Sequence, residues 1–277
     1  VILKASELCP WTHTFAAQTF LDAGFPPGSV NVVMADRSSA ADVTEAIIGH
    51  SSLRKVEFIG SAAVGKSIGA VAAKYLKPTL MELGDQSPAI IMKGADLKSA
   101  ADVCAKGALA LHGQVCFSFE RIIVQSSIMN EFCQHLKAAF DNTPISGFAV
   151  SNASAEKAKA VIDDAIQRGA KLIYGDNKLT SPAALSPSIL VDVPHDALIS
   201  QHEAFAPTVF IATVETEQEA IDEANSREGG LFCSVFTERQ DRGWSMAKEL
   251  DFGMVQVNPK EVILDRKYFP HFSSYPP

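Results

Sequence analysis

Cys116, one of five cysteines, sits in the run Leu111-His112-Gly113-Gln114-Val115-Cys116-Phe117-Ser118-Phe119-Glu120-Arg121. A cysteine just past a glycine turn lies on exposed backbone whose N–H dipoles favour the thiolate, a strong nucleophile. An isolated cysteine is otherwise a small buried hydrophobe. Upstream, Met81-Glu82-Leu83-Gly84-Asp85 carries a carboxylate from a hydrophobic run into a glycine turn, the residue type and setting of a general base. A third stretch, Gly60-Ser61-Ala62-Ala63-Val64-Gly65-Lys66-Ser67, matches the phosphate-loop expression G-x4-G-K-[ST] between a strand and a helix. Local sequence leaves three readings open there. In the first, the loop cradles a nucleoside triphosphate, with Lys66 on the outer phosphates and Ser67 on magnesium, although no later strand ends in a magnesium-binding Asp. In the second, Gly65 merely allows close helix-to-strand packing. In the third, the helix N-terminus faces a dinucleotide pyrophosphate.

These residues need a scaffold, and the hydrophobic pattern describes one of class α/β. Strands are predicted at 1–4, 30–34, 55–59 and 79–83, separated by helices at 12–23, 39–50 and 62–75, with Pro78 ending the last helix. Strand, helix, strand, helix implies a parallel sheet. Further strands at 89–92, 121–125, 171–174, 189–193, 208–214, 231–236 and 255–258 alternate with helices at 96–111, 127–140, 153–168, 217–226 and 239–250. Residues 141–150 read as an irregular link and 175–187 as a loop. Residues 259–277 are aromatic and proline-rich with little period, a divergent tail expected to be poorly ordered. Glu217 complements the dipole of its helix N-terminus. Trp11 and His13, at a helix start, read as packing and capping residues.

Composition narrows the function classes. With 277 residues, 47% hydrophobic and 20% charged, the chain has the profile of a globular protein with a core. A net charge of −8, a pI near 5.4 and no basic stripe argue against nucleic acid as a partner. No apolar run approaches the roughly 18 residues of a membrane span. The cysteines lack metal spacing, so no metal is expected, and their small odd number suits a reducing, cytoplasmic setting. His112, four positions before Cys116, is not assigned as its base.

Several motifs together resemble the aldehyde dehydrogenase superfamily. They are Phe58-Ile59-Gly60-Ser61 with Gly65, Glu82-Leu83-Gly84, Gly113-Gln114-Val115-Cys116, Glu203-Ala204-Phe205-Ala206-Pro207 and Val255-Gln256-Val257-Asn258, in family order and approximate spacing. Glu120-Arg121-Ile122-Ile123-Val124 looks most like the salicylaldehyde and vanillin dehydrogenase branch. The resemblance implies the C-terminal part of a Rossmann-type NAD-binding domain at 1–83 and an α/β catalytic domain at 84–258. It also implies NAD-dependent oxidation of an aldehyde to a carboxylic acid, and the branch resemblance points to an aromatic aldehyde. Cys116 would form a thiohemiacetal and then a thioester, and Glu82 would activate the hydrolytic water. Lys4 and Glu7 match adenosine-ribose contacts, and a carboxylate at Glu7 favours NAD over NADP. Gly60 and Ser61 would lie by the pyrophosphate, Leu83 would border the cofactor, and Glu203 and Phe205 would hold the nicotinamide ribose and ring. Homo-oligomers are the family expectation.

The sequence departs from the pattern in three places. No residue corresponds to the asparagine that helps form the family's oxyanion hole, and loss of one such donor costs about 100 to 1000-fold in rate. Asp85 stands where a second glycine is usual, which would strain the turn beside Glu82. After Asn258 the family's oligomerisation strand is not recognisable. The pattern therefore reads as a chain truncated at both ends, with two alternatives kept open: a non-catalytic relative that binds a dinucleotide or partner, and a nucleoside triphosphatase acting through Gly60–Ser67.

Overall fold

A computed structural model describes residues 1–84 and 86–261. The expectations of strain at Asp85 and of a poorly ordered tail from residue 262 onward lie outside the described residues. The chain divides into two compact units, Val1–Leu83 and Gly84–Pro277.

The first unit runs β1 (Ile2–Lys4), α1 (Pro10–Asp22), β2 (Asn31–Val33), α2 (Ala40–Gly49), β3 (Val56–Gly60), α3 (Ala62–Lys74) and β4 (Thr79–Leu83). A helix between two strands returns the chain to its starting end, so β1 pairs with β2, and β3 with β4, in parallel. The single parallel sheet expected from the alternation is instead two separate two-stranded sheets. Each crossover closes its own pair, and no described strand bridges the two. Ser61 caps α3, its Oγ facing Val64 N–H at 3.5 Å. The helix stops where Leu76 turns left-handed (φ 52°) and Lys77 N–H returns to the Ala72 carbonyl, just before Pro78. His13 Nδ1 accepts from Ser6 N–H at 3.2 Å. Trp11 is 81% exposed and so does not pack as expected. Buried apolar side chains in this unit are few and mostly small: Ala5, Ala17, Ile48 and Ala72.

The second unit holds β5 (Pro88–Ile91), α4 (Leu97–Leu109), β6 (Arg121–Gln125), α5 (Met129–Asn142), α6 (Asn152–Gln167), β7 (Lys171–Tyr174), β8 (Leu179–Ser181), β9 (Ala184–Leu185), β10 (Ser188–Val191), α7 (Leu198–Gln201), β11 (Thr208–Val214), α8 (Glu217–Asn225), β12 (Phe232–Phe236), α9 (Gln240–Ala247) and β13 (Met254–Val257). Seven strands form one sheet in the order β13-β12-β5-β6-β11-β10-β7, parallel except for β7 at the edge. Strand alternation then sorts the core into layers. Ala89 and Ile91, Ile122 and Val124, and Phe232 and Phe236 face α4 and α5, whereas Ile90, Ile123, Cys233 and Val235 pack with residues of α8 and α9. A further cluster joins α6 to Leu190 and Phe210. Ala100, Ala101, Ala105 and Ala108 on α4 are at most 1% exposed, so small side chains let that helix lie close to its neighbours.

Two local expectations need correction, and one short helix was not anticipated. The loop at 175–187 contains the β8–β9 hairpin, because Ser, Pro and Ala mark the turn without excluding two short flanking strands. α7 is a single turn, too short to generate a periodic signal. The helix expected to reach Leu111 ends at Leu109, two residues before the backbone inverts at Leu111.

Candidate active site

Cys116 lies on a tight turn closed by Ser118 N–H to the Val115 carbonyl at 2.9 Å. Leu111, His112 and Gly113, just before it, all adopt left-handed φ of 49°, 60° and 72°. Only the glycine does so without strain, and each of the other two costs on the order of 1–2 kcal/mol. Surrounding contacts hold the inversion in place. His112 is 2% exposed, and its Nε2 accepts from Leu185 N–H of the β8–β9 hairpin at 3.1 Å. That contact makes it a neutral imidazole protonated on Nδ1, and burial lowers its pKa below the ordinary value. The Gln114 amide donates to the Phe148 carbonyl at 2.7 Å and accepts from Val150 N–H at 2.8 Å, pinning the irregular link against the turn. Downstream, Phe117 and Phe119 pack their rings on Phe232 at 5.7 and 5.9 Å. The thiol is thus carried by backbone fixed on both sides, and Cys116 itself is partly exposed.

The same turn is fitted to the segment carrying Glu203 and Phe205. A Cβ on Gly113 would stand 2.1 Å from the Ala206 carbonyl oxygen, so the two backbones touch where glycine leaves room. Phe205 is itself left-handed (φ 51°) and 40% exposed. The Glu203 carboxylate occupies the space a Cβ of Gly84 would need, 2.3 Å from that position. Gln86 secures the approach, its amide donating to the carbonyls of Ile199 and His202 at 2.5 and 2.8 Å. Cys116, Glu203 and Phe205 therefore belong to one connected arrangement within the second unit.

In the first unit, Gly60 pairs with Leu83 and Ile59 with Glu82, which puts Gly60, Ser61, Glu82 and Leu83 at the carboxyl end of one parallel pair. In open α/β sheets this is the end where ligands bind. Glu82 is partly buried, and its Oε1 has no hydrogen-bond partner among the described residues. Lys4 ends β1 and Glu7 lies in the turn that follows, at the carboxyl end of the other pair.

The phosphate-loop reading of residues 60–67 is overturned by the start of α3 at Ala62. A phosphate loop wraps its anion with non-helical backbone between its two glycines. Here Gly65 N–H bonds the Ser61 carbonyl at 2.9 Å, inside the helix. A Cβ on Gly65 would meet Leu83 Cδ2 at 2.6 Å, so this glycine serves close helix-to-strand packing. The α3 N-terminus still suits an anion: it has no acidic residue in its first turn, and the helix cannot satisfy the N–H groups of Ala62 and Ala63.

Sequence reasoning assigned no role to Glu120, Gln114 or Gln86. An acid and a base opening a strand as apolar as Ile122-Ile123-Val124 is the signal available for Glu120, since buried charges require partners. The two glutamines carry no such mark. Among the described residues no cluster of three or more His, Cys, Asp or Glu side chains could hold a metal, and no helix is long and apolar enough to cross a membrane.

Comparison with known proteins supplies the family. The model of the aldehyde dehydrogenase family matches residues 1–271. The chain belongs to the aldehyde dehydrogenase family. Vanillin dehydrogenase of Pseudomonas fluorescens is 33% identical over 93% of this chain and 55% of its own length. The mitochondrial succinate-semialdehyde dehydrogenase of Arabidopsis thaliana is 34% identical over 93% and 50%. The chain spans about half the length of the curated relatives it matches. Among solved structures of the fold, a salicylaldehyde dehydrogenase of Pseudomonas putida G7 complexed with salicylaldehyde superposes with TM-score 0.87 at 31% identity, covering 95% of this chain and 56% of that one. Betaine aldehyde dehydrogenase of Staphylococcus aureus in complex with NAD+ gives 0.83 at 30%, over 93% and 53%. An NADP-dependent glyceraldehyde-3-phosphate dehydrogenase of Bacillus halodurans complexed with NADP gives 0.86 at 29%, over 95% and 55%. The α/β aldehyde dehydrogenase fold expected from the motifs is therefore the fold of this chain.

Proposed function

We propose that this chain carries the nucleophile and dinucleotide-binding elements of an aldehyde-oxidising enzyme, with an aromatic aldehyde as substrate and NAD as cofactor. One observation carries the reading: the Cys116 turn is fitted through Gly113 to the segment presenting Glu203 and Phe205. The thiolate of Cys116 adds to the aldehyde carbon to give a thiohemiacetal. NAD, when bound, supplies the two-electron acceptor for the hydride leaving that carbon. The Cys116 adduct is thereby left as a thioester. Glu82 takes a proton from water, the resulting hydroxide attacks the thioester, and the carboxylic acid departs as the Cys116 thiolate is regenerated. The Glu82 oxygen without a hydrogen-bond partner among the described residues is an acceptor of the kind that step needs.

For the cofactor, the α3 N-terminus with Gly60 and Ser61 would meet the pyrophosphate, with Leu83 alongside, Lys4 and Glu7 the adenosine ribose, and Glu203 and Phe205 the nicotinamide ribose and ring. A carboxylate at Glu7 repels a 2′-phosphate, so NAD is favoured over NADP. The Glu120-Arg121 sequence and the similarity to a structure complexed with salicylaldehyde support the aromatic choice. The purified full chain, given NAD+ or NADP+ with salicylaldehyde, vanillin and succinate semialdehyde, should reduce NAD+ with an aromatic substrate. Cys116→Ser should abolish turnover. Faster reduction with succinate semialdehyde would overturn the aromatic assignment, and stabilisation by Mg-ATP but not by NAD+ would overturn the dinucleotide reading.

A further inference from the structure

We infer that Glu120 is a positioning residue of the dinucleotide site, its carboxylate setting the peptide that presents Glu203 and Phe205. The inference rests on the role proposed above for those two residues. Glu120 is 2% exposed. Its Oε2 accepts from Ala204 N–H at 2.8 Å and its Oε1 from Phe205 N–H at 2.7 Å, so one carboxylate holds two consecutive backbone amides. Its own carbonyl accepts from Phe210 N–H at 2.9 Å. One residue thus grips both ends of the 204–210 segment.

The carboxylate acts where regular structure does not. β11 is already fixed by five register pairs with β6, beginning at Phe210 opposite Arg121. Ala204 and Phe205 lie ahead of β11, outside any helix or strand, and Phe205 is held at φ 51°. A non-glycine residue keeps that conformation only when its surroundings impose it. Two charge-assisted hydrogen bonds to adjacent N–H groups do so, and they fix the peptide's orientation as well as its position. The bonds aim the Glu203 carboxylate toward Gly84 and leave the Phe205 side chain exposed. Because Glu120 follows Cys116 closely in the chain, the nucleophile turn and the cofactor-facing segment share one rigid support.

Glu120→Gln tests this on the full chain. The neutral amide offers one acceptor and turns a donor toward the second N–H. Amide exchange at Ala204 and Phe205, followed without ligand, should accelerate, and the NAD+ dissociation constant by calorimetry should rise, each about tenfold, the equivalent of one charged hydrogen bond. Alkylation of Cys116 without cofactor should stay within about twofold. Glu120→Asp keeps the charge with a shorter reach and should fall between; it also provides the measurement if the glutamine variant does not fold. A variant with lowered melting temperature but unchanged NAD+ affinity, or with exchange at 204–205 as slow as wild type, overturns the inference. Failure of the wild-type chain to bind NAD+ at all overturns the parent reading and removes the cofactor role from Glu120. The two failures are distinguishable because the exchange measurement needs no ligand.

Discussion

Among the thiols, burial separates the partly exposed Cys116 and Cys9 from Cys104 and Cys233. Cys104 and Cys233 are fully buried. Burial pushes the thiol pKa of Cys104 and of Cys133 upward, the latter opposed in part by Lys137. A neutral, solvent-shielded thiol is a poor nucleophile. Iodoacetamide at neutral pH should therefore modify Cys116 before Cys104, Cys133 or Cys233, and peptide mapping that finds any of those three modified first would contradict its role. His112 makes a second prediction, on stability. Its folded pKa lies below the unfolded value near 6.5, so the unfolded chain binds the proton more tightly. The contribution is intact above about pH 6.5 and is progressively lost as pH falls below it, when Nε2 must give up its bond from Leu185. Melting temperature should drop more steeply over that interval in the wild type than in His112→Gln, and parallel pH profiles would refute it.

Turns and loops, more than helices and strands, determine how the site's parts meet. Gly113 and Gly84 both make room for a neighbour, but for different kinds of atom. At Gly113 the intruding group is backbone and φ is 72°, so neither partner can yield. Gly113→Ala should cost about 2–4 kcal/mol and lower the melting temperature measurably. At Gly84 the obstacle is the end of the flexible Glu203 side chain, which can swing away. Gly84→Ala should leave thermal stability within about 1 kcal/mol of wild type while weakening NAD+ binding. Thermal melts paired with calorimetry on the two variants separate a folding glycine from a binding one, and the reverse pattern would show the two roles to be misassigned.

The two units differ in how they are held together. Among the described residues, the three buried apolar clusters belong to the second unit, while the first buries four apolar side chains and exposes Trp11, Phe15, Phe20, Phe25 and Ile59. Apolar burial stabilises at roughly 25 cal/mol per Å², so protection against opening should follow it. Hydrogen exchange should be slowest at the amides of β5, β6 and β12 and faster at those of β3 and β4. Equal protection in both units would show that the first has stabilising contacts not captured by its buried side chains.

The amino-acid sequence determined the order and type of nearly every long element, because periodicity, caps and proline stops act within a few residues of one another. It also singled out Cys116, Glu82 and the Glu203–Phe205 segment as candidate site residues, because their flanking motifs are local as well. The tertiary structure decided what those stretches become. Residues 60–67 read equally well as a phosphate loop, a packing turn or an anion site, and the start of α3 at Ala62 with Gly65 against Leu83 excluded the first. The inversion at 111–113 depends on Leu185, Phe148 and Val150. Glu120 finds its partners 84 and 85 positions away, at Ala204 and Phe205. No local pattern encodes such a pair: the charge is legible in the sequence, but its partner is chosen only when the sheet brings β6 beside β11.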